Sequence, residues 1–212
     1  NGYKQKYEYR QAFDMPDDMH HIDIPIARKF NNKPIALTDN EIRFLAWIIT
    51  EGHIDFNRAK NPTIEISQSK SNAIQVLEQL FSNLGLSPSI HFHKGRSKRT
   101  KENDWVCYYF PNEQVKKYIE ILDGKKEIPR LLLNGSPEQL NVLYHEMMLG
   151  DGCRKSYYTS NENLALQFTE LVLKRGHGAR LEKRVRYQLF KGYNKSVKTT
   201  GYEVREYRYD TA

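Results

Sequence analysis

Two segments of the chain, one hundred positions apart, each end a mostly apolar run with an acidic residue followed by glycine. The segments are residues 44–52 and 144–152, and their acids are Glu51 and Asp151. Carboxylates and the carbonyl groups at a helix end are hard oxygen ligands of the kind that divalent cations prefer. The two acids are therefore candidate ligands of a divalent cation.

Both acids are predicted to end a helix. Residues 38–41 and 136–139 each begin with Ser or Thr and have Glu or Gln three positions later, which is the pattern of a capping box at a helix start. A carboxylate at the C-terminal end of a helix meets the negative end of the helix dipole and costs roughly 0.3–1 kcal/mol. Since stability alone would favour Lys or Arg there, the repetition indicates a cation partner. The alternative is two unrelated helices with solvated acids.

The composition is that of a basic globular protein. The 212 residues contain 33 Lys and Arg against 26 Asp and Glu, a formal charge of +7. An excess of positive charge predicts an anionic partner, most often nucleic acid. The sequence has no apolar run long enough to span a membrane and no signal-peptide pattern. With two cysteines there is no disulfide framework, so we expect an intracellular, reducing location. Cys153 is interpreted as a small packing residue and not as a nucleophile.

The elements after the two acids follow the same order. Each acid is followed by a strand-like stretch, a helical run closed by glycine, and a hairpin. The strand-like stretches are residues 53–69 and 154–159, the helical runs are 72–84 and 163–174, and the hairpins pair 89–94 with 105–110 and 180–191 with 201–209. The sequence therefore predicts a degenerate repeat of an α-β-β-α-β-β unit.

Period-two alternation gives each predicted sheet one apolar and one polar face. The apolar positions are Ile64, Ile66, Ile90, Phe92, Leu181, Val185, Tyr187 and Leu189, and the polar ones are Thr63, Glu65, Ser67, His91, His93, Arg180, Glu182, Arg184, Arg186 and Gln188. A polar, basic sheet face can read base edges in the major groove. A solvated face is the alternative, and periodicity by itself favours that reading.

The two segments resemble the paired signature of the LAGLIDADG homing endonucleases, and the resemblance covers about residues 36–212. Glu51 and Asp151 fall on the last acidic position of that pattern, with the following glycines on its final position. There are three departures: Thr50 stands where a small residue is usual, Glu146 occupies a position where a small residue lets the helices approach, and the first acid is Glu.

The resemblance implies an α+β fold of two pseudo-two-fold-related halves, with motif helices at the interface and antiparallel sheets forming a saddle on DNA. It implies hydrolysis of phosphodiester bonds, with Mg²⁺ or Mn²⁺ held by Glu51, Asp151, Thr50 and Gly150. Gln68 would help to position the attacking water, and its counterpart in the second half is Thr159. Lys70 and Arg208 would supply positive charge.

The resemblance also implies the residues that contact DNA. They are Thr63, Glu65, Ser67, His91, His93, Lys94, Arg96, Lys98, Arg180, Arg184, Arg186, Gln188, Arg205 and Arg208. The basic loop that contains Arg96 and Lys98 is expected to contact phosphates, which position a protein without specifying a sequence. The partner would be double-stranded DNA with a long asymmetric site, bound by a monomer.

The expected organisation has an N-terminal arm, or a joint to an upstream segment, over residues 1–35. A first half follows over 36–126, a linker over 127–136 and a second half over 137–212. The linker resembles those of intein endonucleases, and the family resemblance implies an intein- or intron-associated chain. Two alternative functions remain on the same fold: an RNA-binding intron-splicing maturase, and a DNA-binding regulator that does not cleave. Such a regulator should have lost an acid, and this chain has both.

Overall fold

The computed structural model describes residues 32–56, 61–94, 104–189 and 196–207. The first half contains α1 (Asp39–Glu51), β1 (Gly52–Asp55), β2 (Thr63–Gln68), α2 (Ser71–Asn83), β3 (Ser89–His93), β4 (Trp105–Phe110) and α3 (Asn112–Leu122). A short helix, α4 (Arg130–Leu133), comes next. The second half contains α5 (Pro137–Asp151), β5 (Gly152–Cys153), β6 (Ser156–Thr159), α6 (Glu162–Lys174), β7 (Gly178–Leu189) and β8 (Ser196–Tyr207). Among the described helices, none has the length and apolarity to cross a membrane.

The predicted α+β class is confirmed, and so is the repeated order of elements. Each half has a four-stranded antiparallel sheet with the same arrangement, β1-β2-β4-β3 in the first and β5-β6-β8-β7 in the second. The first half closes with α3, whereas the described part of the second half ends on β8. The short helix α4 lies inside the predicted linker, for which no helix was predicted.

The two motif helices, α1 and α5, form the centre of the molecule. Six consecutive residues of α1, from Phe44 to Ile49, are fully buried. A helix that is apolar on all sides has to be enclosed by other elements. Here α1 packs against α5 on one side and against the first sheet and α2 on the others. The Phe44 ring makes edge-on contacts with Phe81, Phe110 and Tyr118.

The structure shows how Glu146 is accommodated in the helix interface. Its carboxylate is buried, and Oε2 accepts a hydrogen bond of 2.9 Å from the Trp47 indole nitrogen. Its other oxygen lies 3.4 Å from Nε of Arg43, which reaches in from the surface. Burial raises the pKa of Glu146, and Arg43 and Trp47 act in the opposite direction. An acidic residue therefore replaces a small one in this interface because α1 supplies it with two donors.

One expectation from the sequence needs correction. Cys153 is exposed at the end of β5, so it does not fill space in the core. The glycines that follow the acids, Gly52 and Gly152, cap the ends of α1 and α5 in an extended conformation, with φ near −77° and −88°. They are required for close approach, because a Cβ on Gly52 would lie 2.5 Å from the Ile48 carbonyl oxygen and one on Gly152 would lie 2.4 Å from that of Met148.

Candidate active site

Each acid of the motif is carried to the same end of the helix pair. Thr38 and Ser136 cap the starts of α1 and α5, and both capping boxes are complete, as predicted. Thirteen and fifteen residues later the helices end at Glu51 and Asp151, which are partly buried. The chain then enters β1 and β5 directly, so each carboxylate lies where a motif helix meets its own sheet.

The carboxyl group of Asp151 is harder to ionise than that of an ordinary aspartate. Burial raises the pKa of Asp151 to about 6, and repulsion from Glu51 adds to that effect. Lys126 and Lys70 act in the opposite direction. A carboxyl group whose pKa is raised by burial and by a neighbouring acid is typical of a functional site, because stability alone would not select this arrangement.

Two lysines offset the negative charge at the C-terminal ends of the helices next to these acids. Lys70 Nζ donates hydrogen bonds to the carbonyl oxygens of Gly150, at 2.8 Å, and Leu149, at 3.4 Å. Lys126 Nζ donates to the carbonyl oxygen of Thr50 at 2.9 Å. The last carbonyls of a helix have no partner within the helix and carry its negative dipole end, so an ammonium group stabilises them. Each motif helix thus ends with one acid and one lysine.

Lys126 is a site residue that the sequence analysis missed. Lys70 is the N-cap residue of α2, and the N-cap residue of α6 in the second half is Asn161. Asn161 accepts a hydrogen bond from the Leu164 backbone and donates one to the Lys126 carbonyl oxygen. The second lysine therefore comes from the segment after α3, which has no counterpart in the repeat. No alignment of the two halves could have indicated it.

Gln68 is buried, on the same side of the sheet as Ile64 and Ile66 and not on the polar face. Its Oε1 accepts hydrogen bonds of 2.9 Å from the backbone nitrogens of Ser69 and Lys70. Its Nε2 is buried, with no hydrogen-bond partner among the described residues. The amide therefore fixes the backbone that carries Lys70, and its contact with an attacking water stays a prediction. Thr159 likewise accepts a hydrogen bond from the Asn161 backbone.

The donor set fits a hard divalent cation. Within the described ranges no group of three or more His, Cys, Asp or Glu side chains could enclose a metal, so the protein offers two carboxylates and nearby carbonyl oxygens. Mg²⁺ is commonly held in this way, with substrate phosphates and water completing its coordination. The carbonyls of Thr50 and Gly150, the other predicted ligands, accept hydrogen bonds from the two lysines.

A cleft of about 560 Å³ lies between Asp151 and the second sheet. It is lined by Asp151 and Lys126 and, from the second sheet, by Arg184 and Gly201. The N-cap residue Asn161 also lines it. The cleft therefore connects the candidate catalytic end of α5 with the polar face of the sheet formed by β6, β8 and β7.

The polar face of the first sheet is mainly aromatic and neutral. In addition to the predicted Thr63, Glu65, Ser67, His91 and His93, the strand register adds the side chains of Trp105, Cys107 and Tyr109. The His93 ring stacks on Trp105 with centroids 4.9 Å apart, and His91 contacts Tyr109 edge-on. Ile64 and Ile66 are fully buried on the opposite side, as the alternation predicted.

The polar face of the second sheet carries arginines that are already paired. Arg180 lies 2.8 Å from Glu182, and Arg184 and Arg205 both contact Glu203. Glu203 did not appear among the sequence candidates, although it alternates with Arg205 on β8. The pKa of its carboxyl is lowered, first by the hydrogen bond from Ser156 and then by the two arginines.

Several predicted contacts have no described position. Arg96, Lys98 and Arg208 lie outside the described residues, as does the segment 1–31. Arg186 and Gln188 belong to β7, but only their backbone is described. Lys94 is exposed directly after β3.

Comparison with known proteins agrees with the arrangement of the halves. Residues 41–136 match the family model of the LAGLIDADG-like domain. No curated protein sequence shows a significant match. A structure of mesophilic variants of the homing endonuclease I-DmoI is 11% identical, covers 79% of this chain and 88% of its own, and has a TM-score of 0.51. The crystal structure of I-DmoI in complex with DNA and Mn is 11% identical, covers 79% and 89%, and has a TM-score of 0.50.

These matches agree with the paired motif helices and the repeated sheet order of the described residues. Residues 41–136 are therefore a LAGLIDADG-like domain, and the two halves together have the fold of a two-motif LAGLIDADG protein.

Proposed function

We propose that the protein is a site-specific double-strand DNA endonuclease that requires Mg²⁺ or Mn²⁺. The observation that carries this proposal is the end of the helix pair, where each half contributes one acid and each helix end has one lysine. A non-cleaving protein on this fold would have no need to retain two neighbouring carboxylates whose negative charges repel each other.

In the proposed reaction Glu51 and Asp151 hold the divalent cation, and each serves the cut in one DNA strand. The bound cation would activate water and stabilise the leaving oxygen of the scissile phosphodiester. Lys70 and Lys126, whose ammonium groups lie at the two helix ends, would compensate the negative charge that grows on the phosphate. Gln68 would keep Lys70 in place through its backbone.

The solved structures on the same fold support this reading, since I-DmoI has been crystallised with its target DNA and with Mn or Mg. The charge of +7 agrees with a polyanionic partner. The polar faces of the two sheets differ, so they would contact different half-sites of the DNA. We therefore propose a monomer bound to an asymmetric target of about two helical turns, with half-sites spaced by roughly 10 bp.

The proposal can be tested without knowing the target. The protein is incubated with a library of randomised duplexes and Mg²⁺, and the ends of cut molecules are sequenced. We expect one long asymmetric consensus with a break in each strand, and no such ends when EDTA replaces Mg²⁺. Selective binding without any cut ends would indicate a regulator. Selective binding of structured RNA in place of duplex DNA would indicate a maturase.

A further inference from the structure

The polar face of the second sheet contains a carboxylate that is almost completely withdrawn from water. Glu203 lies in the middle of β8, opposite Glu182 of β7 and Tyr158 of β6, and 1% of its side chain is exposed. Carboxylates are rarely buried unless they are paired. On a surface proposed to meet a polyanion, a buried negative charge needs an explanation.

Four side chains converge on Glu203. Its Oε1 accepts hydrogen bonds of 2.7 Å from Ser156 Oγ, 2.9 Å from Arg205 Nη2 and 3.4 Å from the Tyr158 hydroxyl. Its Oε2 forms an ion pair with Arg184. The Arg205 Nε also donates to Ser156 at 3.4 Å. The carboxylate therefore joins residues of β6, β7 and β8, three of the four strands of the sheet.

The two arginines contact Glu203 with one part of the guanidinium group, and part of each side chain is open to solvent. Arg184 and Arg205 have 41% and 46% of their side chains exposed. A guanidinium group has five N–H donors in a fixed plane, so a contact with one carboxylate leaves donors for a second planar partner. Fixing the plane in advance removes the rotamer entropy that a free arginine would lose on binding.

The pairing also reduces the non-specific attraction of this face. Arg180, Arg184 and Arg205 contribute three positive charges, whereas Glu182 and Glu203 contribute two negative ones, so these five side chains have a net charge of +1. Unpaired arginines would bind the phosphates of any sequence, since that attraction does not depend on bases. A face whose charge is largely neutralised has to recognise DNA through the positions of its side chains.

We propose that Glu203 is a specificity-determining positioning residue that orients Arg184 and Arg205 toward the base edges of the second half-site. This inference rests on the proposed binding of DNA and adds a residue that touches no base itself. Arg184 lines the cleft that contains Asp151, so the bases it reads are those of the second half-site nearest to the cut.

The test is Glu203→Gln, which keeps the shape of the side chain and removes its charge. Dissociation constants are measured for the selected target, for all its single-base variants in the second half-site and for a random duplex, at several salt concentrations. The control is Glu120→Gln on α3, which makes the same charge change at a side chain that is 67% exposed and pairs with Lys116 on its own helix.

We expect Glu203→Gln to bind the random duplex as tightly as wild type or more tightly, with a steeper salt dependence. Discrimination at one or two base pairs of the second half-site should fall by about tenfold, the scale of one bidentate arginine contact. Glu120→Gln should leave discrimination unchanged. Ser156→Ala removes the 2.7 Å hydrogen bond to Glu203 and should act in the same direction, which provides a second test if Glu203→Gln fails to fold.

The inference is overturned if Glu203→Gln or Ser156→Ala, folded by its thermal transition, weakens binding to every sequence equally or leaves the base preferences intact. That result would make Glu203 a purely structural residue while DNA recognition by wild type stands. A wild-type protein with no preference among duplexes would instead refute the proposed function itself.

Discussion

Thr50 and Gly150 occupy equivalent places in the two motif helices, and they lie against each other where the helices cross. A Cβ on Gly150 would come within 2.5 Å of Thr50 Oγ1 and 2.8 Å of Thr50 Cβ. The Thr50 hydroxyl is itself occupied, since it donates to the Ala46 carbonyl oxygen at 3.0 Å. The larger residue on α1 is therefore tolerated because its partner on α5 has no side chain.

This contact predicts that Gly150→Ala is destabilising although alanine is the better helix former. Overpacking in a dense interface costs about 1–3 kcal/mol, which exceeds the helix-propensity gain of about 1 kcal/mol. Chemical denaturation measures the difference. Gly201→Ala is the matched control, since the nearest atom to its Cβ would be the Thr159 carbonyl oxygen at 3.8 Å. Equal stability of the two variants would mean that the helices do not approach so closely.

A second prediction concerns the buried carboxylate of the interface. Trp47→Phe removes the indole donor to Glu146 and should cost about 1–3 kcal/mol for the unpaired oxygen, in addition to lost packing. In the double variant Trp47→Phe, Glu146→Met the carboxylate is absent, so the combined loss should be smaller than the sum of the single losses. Strict additivity in this double-mutant cycle would contradict the hydrogen bond.

The raised pKa of Asp151 predicts how stability depends on pH without metal. Its folded-state pKa of about 6 lies above the ordinary value of 3.8, so the protonated form is favoured by folding. This contribution is complete below pH 4 and is lost as the pH rises through 6. In EDTA, Asp151→Asn should therefore be more stable than wild type at pH 8, by at most about 3 kcal/mol. The difference should vanish near pH 4, and a constant difference across this range would refute the assignment.

The lysines at the helix ends should affect the rate of cleavage more than binding. Removing one group that stabilises developing charge typically lowers the rate by about 10²–10³-fold. We expect losses on this scale for Lys70→Met and Lys126→Met in single-turnover cleavage, with dissociation constants changed only slightly. Lys116→Met, which alters an exposed lysine on α3, is the control. If both lysine variants cut at the rate of Lys116→Met, these residues only cap the helices.

The sequence was informative where a local rule applied. The capping boxes defined the starts of α1 and α5, and the alternation around Ile64 and Ile66 gave the correct faces of β2. It was not informative where the position of a side chain depends on packing between residues that are distant in the sequence. Lys126 has no counterpart in the repeat, and Glu203 is buried by arginines that are some twenty residues away or lie beside it on the same strand. The acceptance of Glu146 depends on Trp47, ninety-nine positions away.

The central claim is that Glu51 and Asp151 carry the cleavage of DNA. The direct measurement uses Glu51→Gln and Asp151→Asn on a supercoiled plasmid that contains the selected target, with Mg²⁺ and enzyme in excess, and follows nicked and linear products while binding is measured in parallel. We predict that both variants bind the target at least as tightly as wild type, because a negative charge near the phosphates is lost, and that neither produces linear DNA. Linear product from either variant at a rate near that of wild type would contradict the account.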